Sequence, residues 1–320
     1  MSDTLIKYNN LYSLRVFGLY NSHILCYFNS LLQSLFSCTS ITEYLLNNEN
    51  KFKENNFMKS YINIIKKYII LDKNIQNEVE SSNILMFNEF LISIKNKNIT
   101  FGYNQEDSGE LLVLLLDIIN DIYIYNLFYN KYKCDIYCKN CKNCKNIKDD
   151  ISIQFEIYDK IIDTNFLQSQ IDKNLHNLNK YIRNNYSELN DWTCDNCKYI
   201  GSCIKINRLI AIPSIITINF NKYSEKNNYN YPTELFFINN IENKKHNYKL
   251  ISSINHSGNM NSGHYTSKGF RKKSMNISSS DLSNIVYKMN DSSFNEDTLK
   301  PENDTYIIFY HYVETIDYFV

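Results

Sequence analysis

Three side chains far apart in the chain could together carry nucleophilic chemistry on an acyl group: the thiol of Cys26, the imidazole of His264 and the carboxamide of Asn290. A cysteine attacks as thiolate, and an ordinary thiol with a pKa near ~8.5 holds only a few per cent of that form at neutral pH. An imidazole beside it can take the proton, and a third group can fix the imidazole tautomer. Each residue alone also has an ordinary structural reading. Cys26 fits a small core residue, His264 a satisfied loop or core histidine, and Asn290 a turn residue. Cys26 stands at the head of the run CYFNSLLQSLF, where the start of a helix would favour a thiolate through its dipole and unpaired N–H groups.

A second chemistry is suggested by two Cys-x-x-Cys pairs, Cys138–Cys141 in YCKNCKNC and Cys194–Cys197 in WTCDNCKY. Two such turns can close a tetrahedral zinc site, and four thiolates leave no open position for a substrate water, so the role would be structural. Cys144 leaves the first pair ambiguous, because Cys141 and Cys144 have the same spacing. Cys134 and Cys203 read as spectators. A zinc module for nucleic acid is the rival, since lysines crowd residues 131–148. The 34 basic and 34 acidic side chains cancel, however, where a nucleic-acid binder usually carries a basic excess.

These groups need elements to hold them. Apolar residues recur at helical spacing in the run after Cys26, in 56–71, in 83–95 and most strongly in 106–121, where Asp107 or Ser108 can serve as cap. After residue 145 the texture turns to alternating, β-branched runs at 151–158, 203–212, 215–223, 248–256, 284–290 and 305–313. Helices first and strands later predict an α+β fold, and 320 residues suffice for one large domain or two ordinary ones. Polar stretches at 172–190, 224–230 and 268–284 are expected to be surface loops. The N-terminus lacks a signal-peptide pattern and no apolar run spans a bilayer, so an intracellular protein, cytoplasmic or nuclear and away from membranes, is expected. In that setting the nine cysteines are thiols or ligands rather than disulfides.

The surroundings of these residues resemble the ubiquitin-specific protease family of papain-like cysteine peptidases. GLYNSHILCYFNSLLQ (18–33) is similar to the family's cysteine box, G-L-x-N-x-G-N-T-C-Y-x-N-S-x-L-Q. HSGNMNSGHY (256–265) matches the histidine box H-x-G-x-x-x-x-G-H-Y, and MNDSSF (289–294) resembles the closing F-N/D-D-S-x-V. QEDSGELLVLLLDII (105–119) and KINRLIAIPSIITINFNKY (205–223) fall in order between them, and both Cys-x-x-Cys pairs occupy the zinc-ribbon slots. The likeness runs from about residue 15 to 313.

The resemblance implies a fingers–palm–thumb architecture in one catalytic domain over 1–320. The thumb would cover about 15–125, the fingers about 130–225 with the zinc ribbon, and the palm about 150–170 and 205–315. It implies a deubiquitinase that cuts after the C-terminal diglycine of ubiquitin, acting as a monomer on ubiquitinated proteins, with structural zinc and no nucleic acid. Cys26 would be the nucleophile, His264 the base and then acid, and Asn290 the orienting residue, with Asp291 sharing that role. Asn21 would supply the oxyanion-hole amide; Asp107, Glu110, His256 and Tyr265 would line the substrate channel, the acidic pair facing arginines of the ubiquitin tail. A peptidase for another ubiquitin-like modifier and a non-catalytic ubiquitin binder are the alternatives. One departure stands beside the nucleophile, where His23-Ile24-Leu25 replace the family's Gly-Asn-Thr. Another is an insertion at roughly 268–284 carrying Arg271, Lys272 and Lys273, placed to screen the cleft or meet a partner.

Overall fold

Apolar residues every three or four positions, with few breakers between them, give the N-terminal part its helices. The structure is a computed structural model that describes residues 14–22, 24–69, 82–97, 99–102, 104–147, 150–157, 186–201, 203–220, 230–239, 242–259, 262–272 and 284–318. The helices are α1 (Cys26–Leu35), α2 (Thr39–Asn47), α3 (Asn56–Ile69), α4 (Ser82–Asn96), α5 (Ser108–Ile119) and α6 (Ile122–Phe128). Among the described residues, none is long and apolar enough to cross a membrane. All ten residues of α1 are buried, so it is a central helix with no solvent face. Asp107 caps α5 as anticipated, accepting from the Gly109 and Glu110 N–H groups. Asn120, left-handed at φ 48°, ends that helix, and Asp121 caps α6.

The strands form two sheets among the described residues. The first contains β1 (Asn130–Cys138), β2 (Cys144–Asn146), β3 (Asp150–Ser152), β5 (Tyr186–Leu189) and β6 (Cys203–Ala211) in the order β2-β1-β6-β5, with β3 also on β1. The second holds β4 (Gln154–Ile157), β7 (Ile215–Phe220), β8 (Glu234–Asn239), β9 (Lys244–Asn259), β10 (Ser262–Lys272), β11 (Asn284–Asn290), β12 (Ser293–Glu296) and β13 (Thr305–Asp317). Its order is β12-β11-β10-β9-β13-β7-β4, with β8 also on β9. Pairing is antiparallel except for β4 on β7.

Period-two alternation sends neighbouring residues of the larger sheet into different cores. Ile307 and Phe309 join the helices in the main core around α1, whereas Ile308 and Tyr310 pack with Ile216, Ile218 and Phe220 on the other face. Both faces are thus covered, which is why these strands read as continuous apolar runs.

Two loop expectations are corrected. Residues 186–189 of the stretch 172–190 form β5. Lys268–Lys272 are the second half of β10 rather than an insertion loop, and Arg271 is fully buried, not poised over the cleft. The guanidinium is drawn inward because it donates to the Gln33 backbone carbonyl (2.5 Å), Gln33 Oε1 (2.9 Å) and Ser37 Oγ (2.6 Å). The remaining parts of those stretches, 172–185, 224–229 and 273–283 with Lys273, lie outside the described residues.

Candidate active site and metal centre

Cys26 opens α1 after Leu25, whose side chain is too apolar to cap the helix. The first-turn N–H groups therefore stay available at the sulfur end. The loop before it is fastened by Asn21, whose Oδ1 accepts from the Leu25 N–H (2.9 Å) and whose Nδ2 donates to Asp291 Oδ2 (2.9 Å). A carboxamide carries two N–H groups, so one remains for an oxyanion. Leu25 is buried and keeps this geometry where the family has threonine; His23 lies outside the described residues.

Sequence reasoning expects a depressed thiol pKa at Cys26, and the structure departs from that. Burial pushes the thiol up, and the Asp291 carboxylate adds to the effect. Hydrogen bonds from the backbone of Tyr265, from Gln105 and from the backbone of Tyr27 oppose it.

His264 lies near the start of β10, and Asn290 ends β11, the adjoining strand. His264 Nε2 meets Asn290 Oδ1 at 2.6 Å. An amide oxygen only accepts, so the proton sits on Nε2 and the lone pair on Nδ1, the tautomer a general base requires. Asp291 follows at the β11–β12 turn with φ 49°, a left-handed conformation that Asp tolerates better than most residues. Its Oδ2 lies 3.8 Å from His264 Nε2, its Oδ1 accepts from Asn29 Nδ2 (2.8 Å), and its carbonyl accepts from the Leu19 N–H (2.8 Å). Gly18 permits this approach, since a Cβ there would run into the Ser292 carbonyl.

The four expected channel residues divide into two groups. Asp107 is engaged: Oδ1 caps α5 and Oδ2 accepts from the Tyr306 hydroxyl. Glu110 is exposed, and its carboxyl is pushed up by partial burial and by the charges of Asp107 and Glu106. His256 and Tyr265 are buried, their rings tilted by 36° with centroids 4.3 Å apart, and they pair in register across β9 and β10. A side chain on Gly263 would collide with the His256 ring.

Three polar residues of this neighbourhood escape a reading by chemistry type. Asn29 is buried on α1 and ties Asp291 to the Tyr20 carbonyl. Tyr306 holds Asp107. Gln105 reaches both Cys26 and Gly263. The available signal for Asn29 is a polar side chain, with Gln33 one turn on, in a helix whose other residues are mostly apolar.

In the smaller sheet, the sulfurs of Cys138, Cys141, Cys194 and Cys197 all lie within 4.8 Å of one another. Cys138 to Cys197 and Cys141 to Cys194 are each 3.7 Å. A tetrahedral ion with metal–sulfur bonds near ~2.3 Å puts its sulfurs about 3.8 Å apart, so the cluster has the dimensions of a four-thiolate centre. The two turns are alike: Lys142 and Lys198 both have φ 60°, and their N–H groups donate to the carbonyls of Cys138 and Cys194. Among the described side chains, the first pair in the cluster is Cys138 with Cys141. Cys203 faces Cys138 across β1 and β6 but stands outside the cluster.

The family model for ubiquitin carboxyl-terminal hydrolases matches residues 17–310. A search of curated proteins finds no match. Among solved structures, the SAGA DUB module of Ubp8, Sgf11, Sus1 and Sgf73 bound to monoubiquitin is similar, with 20% identity and a TM-score of 0.67 over 93% of this chain and 69% of that one. The same module bound to ubiquitin aldehyde gives 20% identity and a TM-score of 0.67 over 93% and 70%. A yeast SAGA module with an Sgf73 substitution gives 18% and 0.64 over 93% and 69%. With this fold and a match over most of its length, the chain belongs to the ubiquitin carboxyl-terminal hydrolase family, the cysteine-type deubiquitinases of fingers–palm–thumb architecture.

Proposed function

We propose that this chain hydrolyses the bond after the C-terminal glycine of ubiquitin, with Cys26, His264 and Asn290 as catalytic residues and Asn21 and Asp291 supporting them. The observation that carries the assignment is the 2.6 Å contact of His264 Nε2 with Asn290 Oδ1, which leaves Nδ1 as base. His264 takes the Cys26 proton as the sulfur attacks the glycine carbonyl. The free N–H of Asn21 and the Cys26 N–H receive the oxyanion; one such donor is typically worth ~3 kcal/mol of barrier. The imidazolium, stabilised by Asp291, then protonates the departing lysine amine. Water, deprotonated by His264, opens the thioester and releases ubiquitin and thiol.

The exposed Glu110, with Glu106 and Asp107 beside it, gains by meeting a cation, which suits an arginine of the ubiquitin tail. His256 and Tyr265 would form the wall behind Gly263. Zinc suits the four-thiolate centre and would hold the fingers in shape. We assign one catalytic domain over 1–320, with thumb, fingers and palm at about 15–125, 130–225, and 150–170 plus 205–315, acting as a monomer in the cytoplasm or nucleus.

A ubiquitin probe with a C-terminal electrophile tests the assignment, run beside probes of other ubiquitin-like modifiers. A covalent adduct with the ubiquitin probe, abolished in Cys26→Ala, is expected. An adduct with another modifier alone would redirect the substrate. Ubiquitin binding without an adduct would make the chain a non-catalytic receptor.

A further inference from the structure

Among the described residues, Gly263, which precedes His264, has no ladder partner on the β11 side, because β11 pairs with β10 only from Ser267 onward. A side-chain amide fills that position. Gln105 Oε1 accepts from the Gly263 N–H (3.0 Å), and Gln105 Nε2 donates to the Gly263 carbonyl. A carboxamide anchored at both ends has one N–H left, and here Nε2 lies 3.5 Å from Cys26 Sγ. Gln105 comes from the loop leading into α5, so one side chain joins that loop, the histidine strand and the nucleophile.

We propose that Gln105 is a further catalytic residue of this deubiquitinase, a fixed neutral donor to the Cys26 sulfur that favours its thiolate. The proposal rests on Cys26 being the nucleophile. The step concerned is deprotonation: the S–H bond breaks, the proton passes to His264, and the electron pair left on sulfur meets the Nε2–H of Gln105. The need is specific to this site, since burial and the Asp291 charge both work against the thiolate. The two-point hold on Gly263 matters because a free glutamine would sample many rotamers, whereas this one arrives oriented.

The test is the pH dependence of Cys26 alkylation by iodoacetamide, the modified residue being identified by peptide mass mapping. Gln105→Leu removes the donor. Gln105→Glu keeps an oxygen for the Gly263 N–H but sets a negative charge against the sulfur. The midpoint of the rate profile should rise in Gln105→Leu and further in Gln105→Glu. A midpoint higher by about one pH unit makes alkylation about tenfold slower at neutral pH. Thermal midpoints of all variants should be recorded alongside, because a purely structural tie would lower these and leave the pH profile in place. Coincident profiles with a Cys26 adduct in the parent overturn the role of Gln105 alone. If the parent yields no Cys26 adduct, either with iodoacetamide or with the ubiquitin probe, the nucleophile assignment falls as well.

Discussion

Asn290 and Asp291 are neighbours with separable duties. Asn290 meets the imidazole, whereas Asp291 takes hydrogen bonds from Asn21 and Asn29 and stands 3.8 Å from His264. Asn290→Ala frees the ring but leaves Asp291 able to steady the imidazolium, so kcat should fall on the order of 10²-fold, within the range of acid–base contributions. Asp291→Ala releases the oxyanion amide, the α1 asparagine and the imidazolium charge together, and the loss should be larger, on the order of 10³-fold. Asp291→Asn retains a residue suited to φ 49° yet turns one amide hydrogen toward another, so it should fall between the two. Turnover of a fluorogenic ubiquitin substrate ranks the three; a greater loss at Asn290 than at Asp291 contradicts this division. The Cys-x-x-Cys pairs are legible in sequence because their spacing marks them, and the three residues proposed for catalysis because the cysteine box, the histidine box and the closing MNDSSF surround them. Asn29 and Gln105 stand inside the matched segments, but their roles, like that of Tyr306, are not legible, because each acts through a partner from 79 to 262 positions away, and only the fold supplies that partner.

The elements meet where α1 lies on β10, and Arg271 is the fastening between them. Burial pushes its guanidinium down to about 10, so it remains charged at neutral pH. Its donors reach Gln33 and Ser37 at the C-terminal end of α1, where the helix dipole is negative and stands in for a carboxylate. Arg271→Met fills the space but strands those acceptors, and should cost about 3 kcal/mol of stability. Urea unfolding measures this, and a variant as stable as the parent would show that desolvation of the charge cancels its bonds. The same residue explains why half of β10 reads as a loop: Lys268, Gly269 and Arg271 break the apolar alternation, yet Lys268 is buried against Glu302 (2.6 Å) and Asp297 (2.9 Å). Strand β1 is obscured differently. Its buried Tyr132, Cys134, Ile136 and Cys138 do alternate, but Cys138, read as a metal ligand, does not count toward an apolar face, and the lysines around them make the run read as polar. Helices α1, α3, α4 and α5 are legible from apolar residues at helical spacing, and β7, β9 and β13 because burial on both faces makes them read as apolar runs.

At the scale of the molecule, the two sheets are stabilised by different means. The larger sheet is covered by apolar side chains on both faces, while among the described residues the cysteine end of the smaller one has a core of Ile136, Cys138, Cys194 and Cys203 with Cys141, Leu189 and Cys197 against it. Four of those seven side chains are the clustered thiols, so without an ion this end would rest on very little apolar burial. A metal there links the β1–β2 turn to the segment between β5 and β6, and its binding energy becomes folding energy for that end alone. Metal analysis should find about one zinc per chain. Removing it with a chelator should raise amide hydrogen exchange in β2, β5 and the adjoining ends of β1 and β6, while α1, β9 and β10 stay protected. Alkylation of Cys26 by a small reagent should then persist at its original rate, whereas labelling by the ubiquitin probe should slow, because a ubiquitin-sized substrate needs the fingers and a small electrophile does not. Uniform loss of protection through both sheets would mean that the metal supports the whole fold, and a metal-free chain with both sheets intact would remove the structural role altogether.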